Sequence, residues 1–222
     1  ELDNSGSAYP YYIYQCNNGG TDTGYVYNNI ANHMGSGSGY NYVAYSSNVK
    51  LYHNTFSTNG TGYGLYIAST TSGIDVVNNM IGSNGYAIYT TTTYIFGLGT
   101  MDYNNIYTGG ASLAYVSAAY ATLADWQGVS MQDSNSVSSD PGFLTPTNLT
   151  PSVGSVNNLA MPVSWITDDI NGTPRPATPD MGAIEFDPLA YEAEMIGVTG
   201  PAGGCDQTID SVKIKILNRG LM

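Results

Sequence analysis

The sequence predicts an all-β protein: a right-handed parallel β-helix of about 25 residues per coil, an irregular C-terminal cap and the start of a β-sandwich module. Three observations lead to this prediction. Asparagine recurs at a constant spacing of 25 residues, as Asn29, Asn54, Asn79 and Asn104. Apolar residues recur at fixed offsets around each of them. Only 10% of residues are charged, whereas the chain contains 20 Tyr and 27 Gly, which is typical of stacked strands and turns.

The four asparagines share one local environment. An apolar residue precedes each of them by three positions and another follows it by two. The first set is Val26, Leu51, Val76 and Met101, and the second is Ala31, Phe56, Ile81 and Ile106. Coils of a parallel β-helix stack at about 4.8 Å, and amides at that spacing can donate to one neighbour and accept from the other. We therefore predict that Asn29, Asn54, Asn79 and Asn104 form an internal structural ladder and are not an active site.

Charge limits the kinds of partner. The chain has 17 acidic and 5 basic residues, a net charge of −12. Nucleic acids and anionic membrane surfaces attract clusters of Lys and Arg, and the sequence contains no such cluster. No apolar run approaches the length that spans a bilayer. We therefore expect neither a nucleic acid partner nor insertion into a membrane.

The repeat ends near residue 124. Residues 1–124 carry the coils, and because they open without an end cap we expect the coils to continue upstream. Residues 125–188 lose the repeat and contain eight acids and one base. We expect this stretch to be a capping segment that covers the open edge of the last coil.

The last segment, residues 189–222, contains two strand patterns, Met195–Val198 and Ser211–Ile216. Separated by a Gly/Pro turn, they resemble the first two strands of an immunoglobulin-like module. About 30 residues are too few to bury a core of their own. We therefore expect a truncated domain and a chain that continues covalently into further domains of a longer protein.

Catalysis on a β-helix needs charged side chains that converge on one face, either paired carboxylates or a basic residue beside calcium-bound carboxylates. In the register of the repeat, Lys50 aligns with Asp75 of the next coil, which predicts an exposed ion pair. His53 aligns with Asn28 and Asn78, which predicts a hydrogen-bonding substitute for asparagine. The sequence therefore assigns no catalytic residue and disfavours an enzymatic role for this stretch.

Tyrosines recur in one stack of predicted strands, Tyr42–Tyr45, Tyr63–Ile67 and Tyr86–Tyr89. Rows of surface aromatic residues hold sugar rings in many proteins. Alternatively, tyrosines pack on each other across neighbouring strands, where each pair contributes roughly 0.2–1 kcal/mol. The sequence leaves both interpretations open, because it does not say which rings face outward.

Arg175 is the single base among the eight acids of the capping segment. Its planar fork suits bidentate binding of a carboxylate, and we predict a structural clamp in which Asp169, Asp180 or Glu185 is the partner. The run Asp169-Ile170-Asn171-Gly172 predicts a turn whose side chain caps its own backbone. The alternative is a Ca²⁺ site formed by Asp168, Asp169 and Asn171. It matches only part of a calcium loop and lacks the bidentate Glu. No other cofactor is expected.

Five short motifs follow one another in this segment: Asp125-Trp126-Gln127, Gln132–Ser136, Asp140–Phe143, Asp169–Pro176 and Asp180–Glu185. In this order they resemble the closing segment of β-helix regions in large secreted surface proteins of the Bacteroidota, which are often exported by the type IX secretion system. The resemblance covers residues 25–187.

The resemblance implies an extracellular, cell-surface location and a non-enzymatic, adhesin-type role, with the chain as a stalk that contacts polysaccharides or cell-surface glycans. Two alternatives remain open. One is the C-terminal part of a polysaccharide lyase or glycoside hydrolase whose catalytic coils lie upstream. The other is a structural filament or surface-layer component.

Overall fold

The repeats form a parallel β-solenoid with about 25 residues per coil, which confirms the fold predicted from the sequence. The computed structural model describes residues 8–17, 20–68, 72–90, 98–188, 193–199 and 213–218. The chain passes five times through one sheet and four times through each of two others, and the stacked coils make about three turns.

Each sheet stacks one strand from every coil. Sheet I contains β1 (Ala8–Tyr14), β4 (Gly39–Ala44), β7 (Tyr63–Ala68), β10 (Tyr86–Thr90), β13 (Ala114–Val116) and β14 (Ala119–Tyr120). Sheet II contains β2 (Gly24–Tyr27), β5 (Val49–Tyr52), β8 (Ile74–Val77) and β11 (Leu98–Asp102). Sheet III contains β3 (Ile30–His33), β6 (Thr55–Thr58), β9 (Met80–Ser83) and β12 (Asn105–Thr108). All pairings in these sheets are parallel except β13 with β14.

A tight corner connects sheet II to sheet III in every coil. The residue before each ladder asparagine adopts the left-handed conformation, with φ between 51° and 61°, at Asn28, His53, Asn78 and Tyr103. Asparagine tolerates this conformation better than most residues, because its short side chain can bond locally to the backbone. The corner therefore turns the chain at the same place in every coil and brings the next asparagine to the inside.

The four ladder asparagines bond to each other in one direction. The Nδ2 group of Asn29 donates to Oδ1 of Asn54 at 3.0 Å, Asn54 donates to Asn79 at 3.0 Å, and Asn79 donates to Asn104 at 3.2 Å. Each of these Oδ1 atoms also accepts the backbone N–H of the asparagine one coil earlier, at 2.8–3.1 Å. Every acceptor oxygen thus fixes both the side chain and the backbone of the coil before it.

The ladder ends at a carboxylate. Asp133, almost completely buried, accepts hydrogen bonds from Nδ2 of Asn104 at 3.1 Å, from Nε1 of Trp126 at 2.7 Å and from Oγ of Ser136 at 2.5 Å. Burial raises the pKa of the Asp133 carboxyl, and the three donated hydrogen bonds oppose that shift. A ladder that donates forward needs a last group that only accepts, and an ionised carboxylate has this property.

The first part of the predicted capping segment, before residue 140, covers the last coil as expected of a cap. The helix α1 (Leu123–Ser130) starts with a capping box between Thr122 and Asp125 and buries Trp126 against the end of the solenoid core. Backbone hydrogen bonds then pair Asp133 with Met101 and Val137 with Asn104, so this stretch covers the edge of the last coil. The sequence did not predict α1. Among the described residues, no helix is long and apolar enough to cross a bilayer.

The rest of the segment, residues 140–188, extends further than predicted. It includes a short 3₁₀ turn (Gly154–Val156) and runs along the outer face of sheet III, back to the first described coil. Asn32 donates to the carbonyl of Pro146 at 2.6 Å, and Asn28 donates to the carbonyl of Asp168 at 2.6 Å. We call residues 140–188 the strap.

The strap covers an apolar patch that a cap on the last coil would leave exposed. Met80 points outward from β9 and forms a small second core with Val156, Ala160 and Met181. Asn78, at the neighbouring corner, exchanges two hydrogen bonds with Met161, at 2.6 and 2.9 Å. Covering this face buries apolar area and gives the corner amides partners, which is the physical reason that the strap does not stop at the last coil.

The C-terminal part contains an antiparallel hairpin of β15 (Ala193–Thr199) and β16 (Lys213–Asn218). Met195, Val198, Ile214 and Ile216 on these strands are more than half exposed. The two strands lie where the sequence predicted them. Residues 189–192, 200–212 and 219–222 of the predicted immunoglobulin-like module lie outside the described residues.

Replacing Asn79 with Ala should cost about 1–3 kcal/mol in the free energy of unfolding. The substitution removes the acceptor for the backbone N–H and the Nδ2 group of Asn54, both of which are buried. Denaturant unfolding measures the difference. Asn59→Ala, at an exposed position of the preceding coil, is the control, and equal stabilities of the two variants would contradict the role of the ladder.

Replacing Asp133 with Asn should also destabilise the protein by about 1–3 kcal/mol, although the two side chains have nearly the same shape. If the amide oxygen keeps the bond from Asn104, the amide N–H₂ group faces the N–H of Trp126, and two donors meet. The exposed Asp22→Asn is the control for loss of a negative charge. An Asp133→Asn variant as stable as this control would show that the ladder does not require an acceptor-only end.

Candidate functional site

Tyrosines cover the outward side of sheet I. Ten rings on the parallel strands of this sheet form one connected surface, which we call the tyrosine face: Tyr9, Tyr12, Tyr14, Tyr40, Tyr42, Tyr63, Tyr66, Tyr86, Tyr89 and Tyr115. Eight of them stand in two columns that follow the strand register. The first column is Tyr12, Tyr42, Tyr66, Tyr89 and Tyr115, and the second is Tyr40, Tyr63 and Tyr86.

Strand geometry explains how one sheet keeps two tyrosines per strand on the same side. Side chains two positions apart share a face of a strand, as Tyr40 and Tyr42 do on β4. On β7, however, Tyr63 and Tyr66 are three positions apart. The pairing register with β4 shifts by one residue at this point, so that Tyr63 pairs with Tyr40 and Tyr66 pairs with Tyr42. The extra residue of this bulge returns the second tyrosine to the outer face.

Gly64 and Asn41 support the bulge from inside. The buried amide of Asn41 donates to the carbonyl of Gly64 at 2.9 Å. A Cβ atom at position 64 would lie 2.7 Å from the carbonyl oxygen of Ala87 and 2.9 Å from Cγ2 of Ile81. The site therefore needs glycine at position 64, where a side chain would push β7 away from β10.

The rings pack on each other in stacked and perpendicular pairs. Tyr63 and Tyr89 stack with centroids 4.1 Å apart and planes 7° apart, and Tyr89 and Tyr115 stack at 4.8 Å and 6°. Tyr66 lies nearly perpendicular to Tyr42 and to Tyr89. Because the faces of stacked rings are turned to each other, the columns present mainly ring edges and hydroxyl groups to the solvent. The rings on β1 are more open, with Tyr9 and Tyr12 exposed by 52% and 54%.

The tyrosine face is electrically neutral. The strands β1, β4, β7, β10 and β13 contain no acidic or basic residue. Burial among neighbouring rings raises the pKa of Tyr63 to about 12, which disfavours a negative charge on this face even in alkaline solution. The face therefore combines apolar ring edges with hydroxyl groups that both donate and accept hydrogen bonds.

Sheet II carries a smaller aromatic group and the predicted ion pair, which is partly buried and not exposed as the sequence predicted. Lys50 contacts Asp75 of the next coil, and Asp75 also accepts the hydroxyl of Tyr52 at 3.2 Å. Trp165 of the strap packs against Tyr25, Tyr27 and Tyr52. This cluster joins the strap to the solenoid.

Arg175 lies where the strap meets the corners of the coils. Its guanidinium group is almost fully buried, and Nη1 contacts the carboxylate of Glu185. Nη2 donates to Oδ1 of Asn28 at 2.8 Å and to the carbonyl of Gly182 at 3.1 Å. With a further hydrogen bond from Nη1 to the carbonyl of Asp180 at 3.4 Å, the guanidinium group is shared between one carboxylate and three other acceptors, and it links the strap to the first described corner.

The other two candidate partners of Arg175 bind backbone groups instead. The carboxylate of Asp180 accepts the N–H groups of Asn158 and Phe186 at 2.6 and 2.7 Å. The carboxylate of Asp169 accepts the N–H groups of Asn171, Thr173 and Glu185 at 2.7–3.0 Å, which forms the turn that the sequence indicated. These hydrogen bonds lower the pKa of Asp169, although burial opposes them.

Calcium binding by Asp168, Asp169 and Asn171 stays a prediction. Both carboxylate oxygens of Asp169 already accept backbone N–H groups, and Oδ2 of Asp168 accepts the hydroxyl of Thr167 at 3.0 Å. Within the described ranges, no three His, Cys, Asp or Glu side chains are grouped so that they could hold a metal ion.

His53 occupies the corner position between Asn28 and Asn78. It is fully buried, and its Nε2 lies 2.9 Å from Nδ2 of Asn78. Since that amide donates, Nε2 accepts and the ring proton sits on Nδ1. Burial, together with the positive charge of Arg175, lowers the pKa of His53 to about 3. Burial raises the pKa of the neighbouring Glu185 to about 7, although the charge of Arg175 opposes this shift.

Replacing His53 with Asn, the residue found at this position in both adjacent coils, should make the protein less sensitive to acid. The imidazole stays neutral in the folded protein down to about pH 3, but in the unfolded chain it takes up a proton below its ordinary pKa of about 6.5. Its contribution to stability is therefore complete above about pH 6.5 and is lost as the pH falls from there toward 3. At pH 4.5 the loss is on the order of 2–3 kcal/mol.

Denaturant unfolding at pH 7.5 and pH 4.5 measures this effect. The wild type should lose more stability than His53→Asn between the two conditions. Glu185 acts in the opposite sense, because its raised pKa adds stability as the pH falls below about 7, but both proteins contain it. Equal losses in the wild type and the variant would contradict a buried, neutral His53.

The sequence predicts part of this geometry. It places Tyr42, Tyr63, Tyr66, Tyr86 and Tyr89 in one stack but does not assign Tyr9, Tyr12, Tyr14, Tyr40 and Tyr115 to it. It also missed Asp133, because the interval from Asn104 is 29 residues and not the 25 of the repeat. Comparison with protein-family models, curated proteins and solved structures found no match to this chain.

Proposed function

We propose that this chain is a non-enzymatic segment of a large secreted, cell-surface protein of adhesin type, in which the solenoid acts as a stalk and the tyrosine face binds uncharged glycans. The single observation that supports this proposal is the array of ten tyrosines, eight of them in register, on an outward face whose strands carry no charged residue. The secreted location, the type IX export and the origin in the Bacteroidota are proposed on the resemblance of the closing segment alone.

The chemistry of the face matches that of a neutral sugar chain. Sugars have apolar C–H groups on their ring faces and hydroxyl groups around their rims. Tyrosine offers an apolar ring and a hydroxyl with only two side-chain torsions to fix, so contact with it costs little entropy. Because the columns repeat at the spacing of strands, an extended polymer can repeat the same contact from coil to coil. Many weak contacts on one chain then add up to useful affinity.

Charge argues against the other polymers that bind aromatic surfaces. Single-stranded nucleic acids stack on aromatic rings, but their phosphates need Lys or Arg nearby. The strands of the tyrosine face carry neither, and the whole chain has a net charge of −12. Polysaccharides rich in carboxylates or sulfates are repelled for the same reason. An uncharged glycan is the polymer that remains.

The carboxylates support recognition over catalysis. Asp133, Asp169, Asp180 and Glu185 accept hydrogen bonds that hold the cap and the strap in place. The tyrosine face itself contains no carboxylate that could act as an acid or a nucleophile. We therefore propose that this chain binds glycans without cleaving them.

The test compares binding to cellulose and soluble galactomannan with binding to polygalacturonate and alginate, by affinity electrophoresis and pull-down. We expect retention by a neutral polymer and none by the acidic polymers. The variant Tyr66→Ala/Tyr89→Ala should bind about 5- to 140-fold more weakly, because two ring contacts of roughly 0.5–1.5 kcal/mol each are lost. Tyr25→Ala/Tyr27→Ala, which removes exposed rings of sheet II, should bind like the wild type.

Each result decides between the proposed roles. Thermal unfolding of both double variants first establishes that they are folded. Equal loss of binding in the two variants would show that the tyrosine face is not the binding surface. A fall in polymer chain length during incubation would contradict a non-enzymatic role, and wild-type protein that binds none of the four polymers would contradict glycan binding.

A further inference from the structure

We propose that the tyrosine face is also a site of oxidative modification, at which a one-electron oxidant of the peroxidase type, with hydrogen peroxide, joins Tyr63 to Tyr89 through an intramolecular dityrosine bond. The proposal does not depend on glycan binding. It rests on the geometry of the ring pair, on the connection of that pair to exposed rings and on the chemistry of phenols.

The geometry of the pair favours coupling. Tyr63 on β7 and Tyr89 on β10 lie diagonally across a parallel pair of strands, with ring centroids 4.1 Å apart and planes within 7° of each other. Dityrosine forms between the carbon atoms next to the hydroxyl-bearing carbons, the ortho carbons. Coupling of two phenoxyl radicals begins with their π faces in contact, and this stacking provides that contact. The fold therefore holds the two rings face to face before any oxidant arrives.

Exposed rings connect the pair to the solvent. Tyr12 is 54% exposed and stacks on Tyr42 at 5.3 Å. Tyr42 contacts Tyr66 at 5.0 Å, and Tyr66 contacts Tyr89 at 4.9 Å. A phenoxyl radical formed on an exposed tyrosine can therefore pass from ring to ring, by transfer of an electron and a proton, until it reaches the partly buried pair.

The reaction balances in electrons and protons. Tyr63 and Tyr89 each lose one electron and the phenolic proton and become neutral phenoxyl radicals. The two radicals form one carbon–carbon bond between ortho carbons, and the hydrogen atoms on those carbons then move as protons to the two ring carbonyl oxygens, which restores both phenols. The net change is the loss of two electrons and two protons from the protein. Hydrogen peroxide accepts them through the peroxidase and is reduced to two molecules of water.

The dityrosine bond would connect two neighbouring coils covalently. Tyr63 and Tyr89 belong to successive passages of the chain through sheet I, so a cross-link between them closes a loop through one complete coil. Such a loop reduces the conformational freedom of the unfolded chain, as a disulfide does. For a stalk outside the cell, oxidation would thus make the solenoid harder to unfold.

The experiment treats the purified chain, with its thiols alkylated, with a haem peroxidase and a limiting amount of hydrogen peroxide. The monomer is separated under denaturing conditions, digested and analysed by tandem mass spectrometry. We expect Tyr63–Tyr89 to be the dominant cross-linked pair in the monomer, with a mass lower by two hydrogen atoms. The same treatment in concentrated urea should not produce this pair, because the stacking depends on the fold.

Matched phenylalanine variants complete the test, since phenylalanine keeps the ring and removes the oxidisable hydroxyl. Tyr63→Phe should lower the dityrosine fluorescence of the monomer, whereas Tyr27→Phe on sheet II should not. The proposal is overturned if dityrosine occurs only in covalent dimers, if another pair dominates in the monomer, or if Tyr63→Phe and Tyr27→Phe behave alike. Cross-linking and glycan binding are measured on different variants by different methods, so failure of one proposal leaves the other standing.

Discussion

The directional bond between asparagine amides is the interaction on which the rest of this structure depends. Each Oδ1 atom accepts two hydrogen bonds from the preceding coil, one from the side chain and one from the backbone. A coil that slipped by one residue would lose both and would turn its apolar residues outward. The ladder therefore fixes the register of all three sheets, and the tyrosine columns of sheet I are aligned because the asparagines at the opposite corner are aligned.

Because every amide of the ladder donates to the next coil, the ladder also determines which groups must lie at its end and beside its corners. The end needs an acceptor without N–H groups, and Asp133 supplies it within a closing stretch that pairs with the last coil. The left-handed corners leave side chains such as Asn28 and Asn78 pointing away from the core, and the strap binds both. The cap and the strap thus complete hydrogen bonds that the repeat itself leaves open, in addition to covering apolar surface.

The sequence predicts those parts of the fold that repeat. The spacing of Asn29, Asn54, Asn79 and Asn104 determines the solenoid and the ladder, because identical residues at a constant interval must occupy identical environments. It does not predict the path of the strap, which follows from single contacts such as Arg175 with Asn28, 147 residues away. It does not predict the bulge at Gly64 either, because strand alternation alone would place Tyr63 and Tyr66 on opposite faces. Which tyrosines face outward therefore required the structure.

The same stacking that orders the tyrosine face also limits what it can recognise. Rings that stack at 4.1–4.8 Å turn their faces to each other, so a ligand on the columns meets ring edges and a band of hydroxyl groups. Such a surface favours a partner that follows the columns and exchanges hydrogen bonds at each step, over a partner that inserts one ring into one pocket. It also concentrates oxidisable phenols at contact distance. Recognition by edges and coupling between faces thus use different parts of the same rings, which is why one surface can support both proposals.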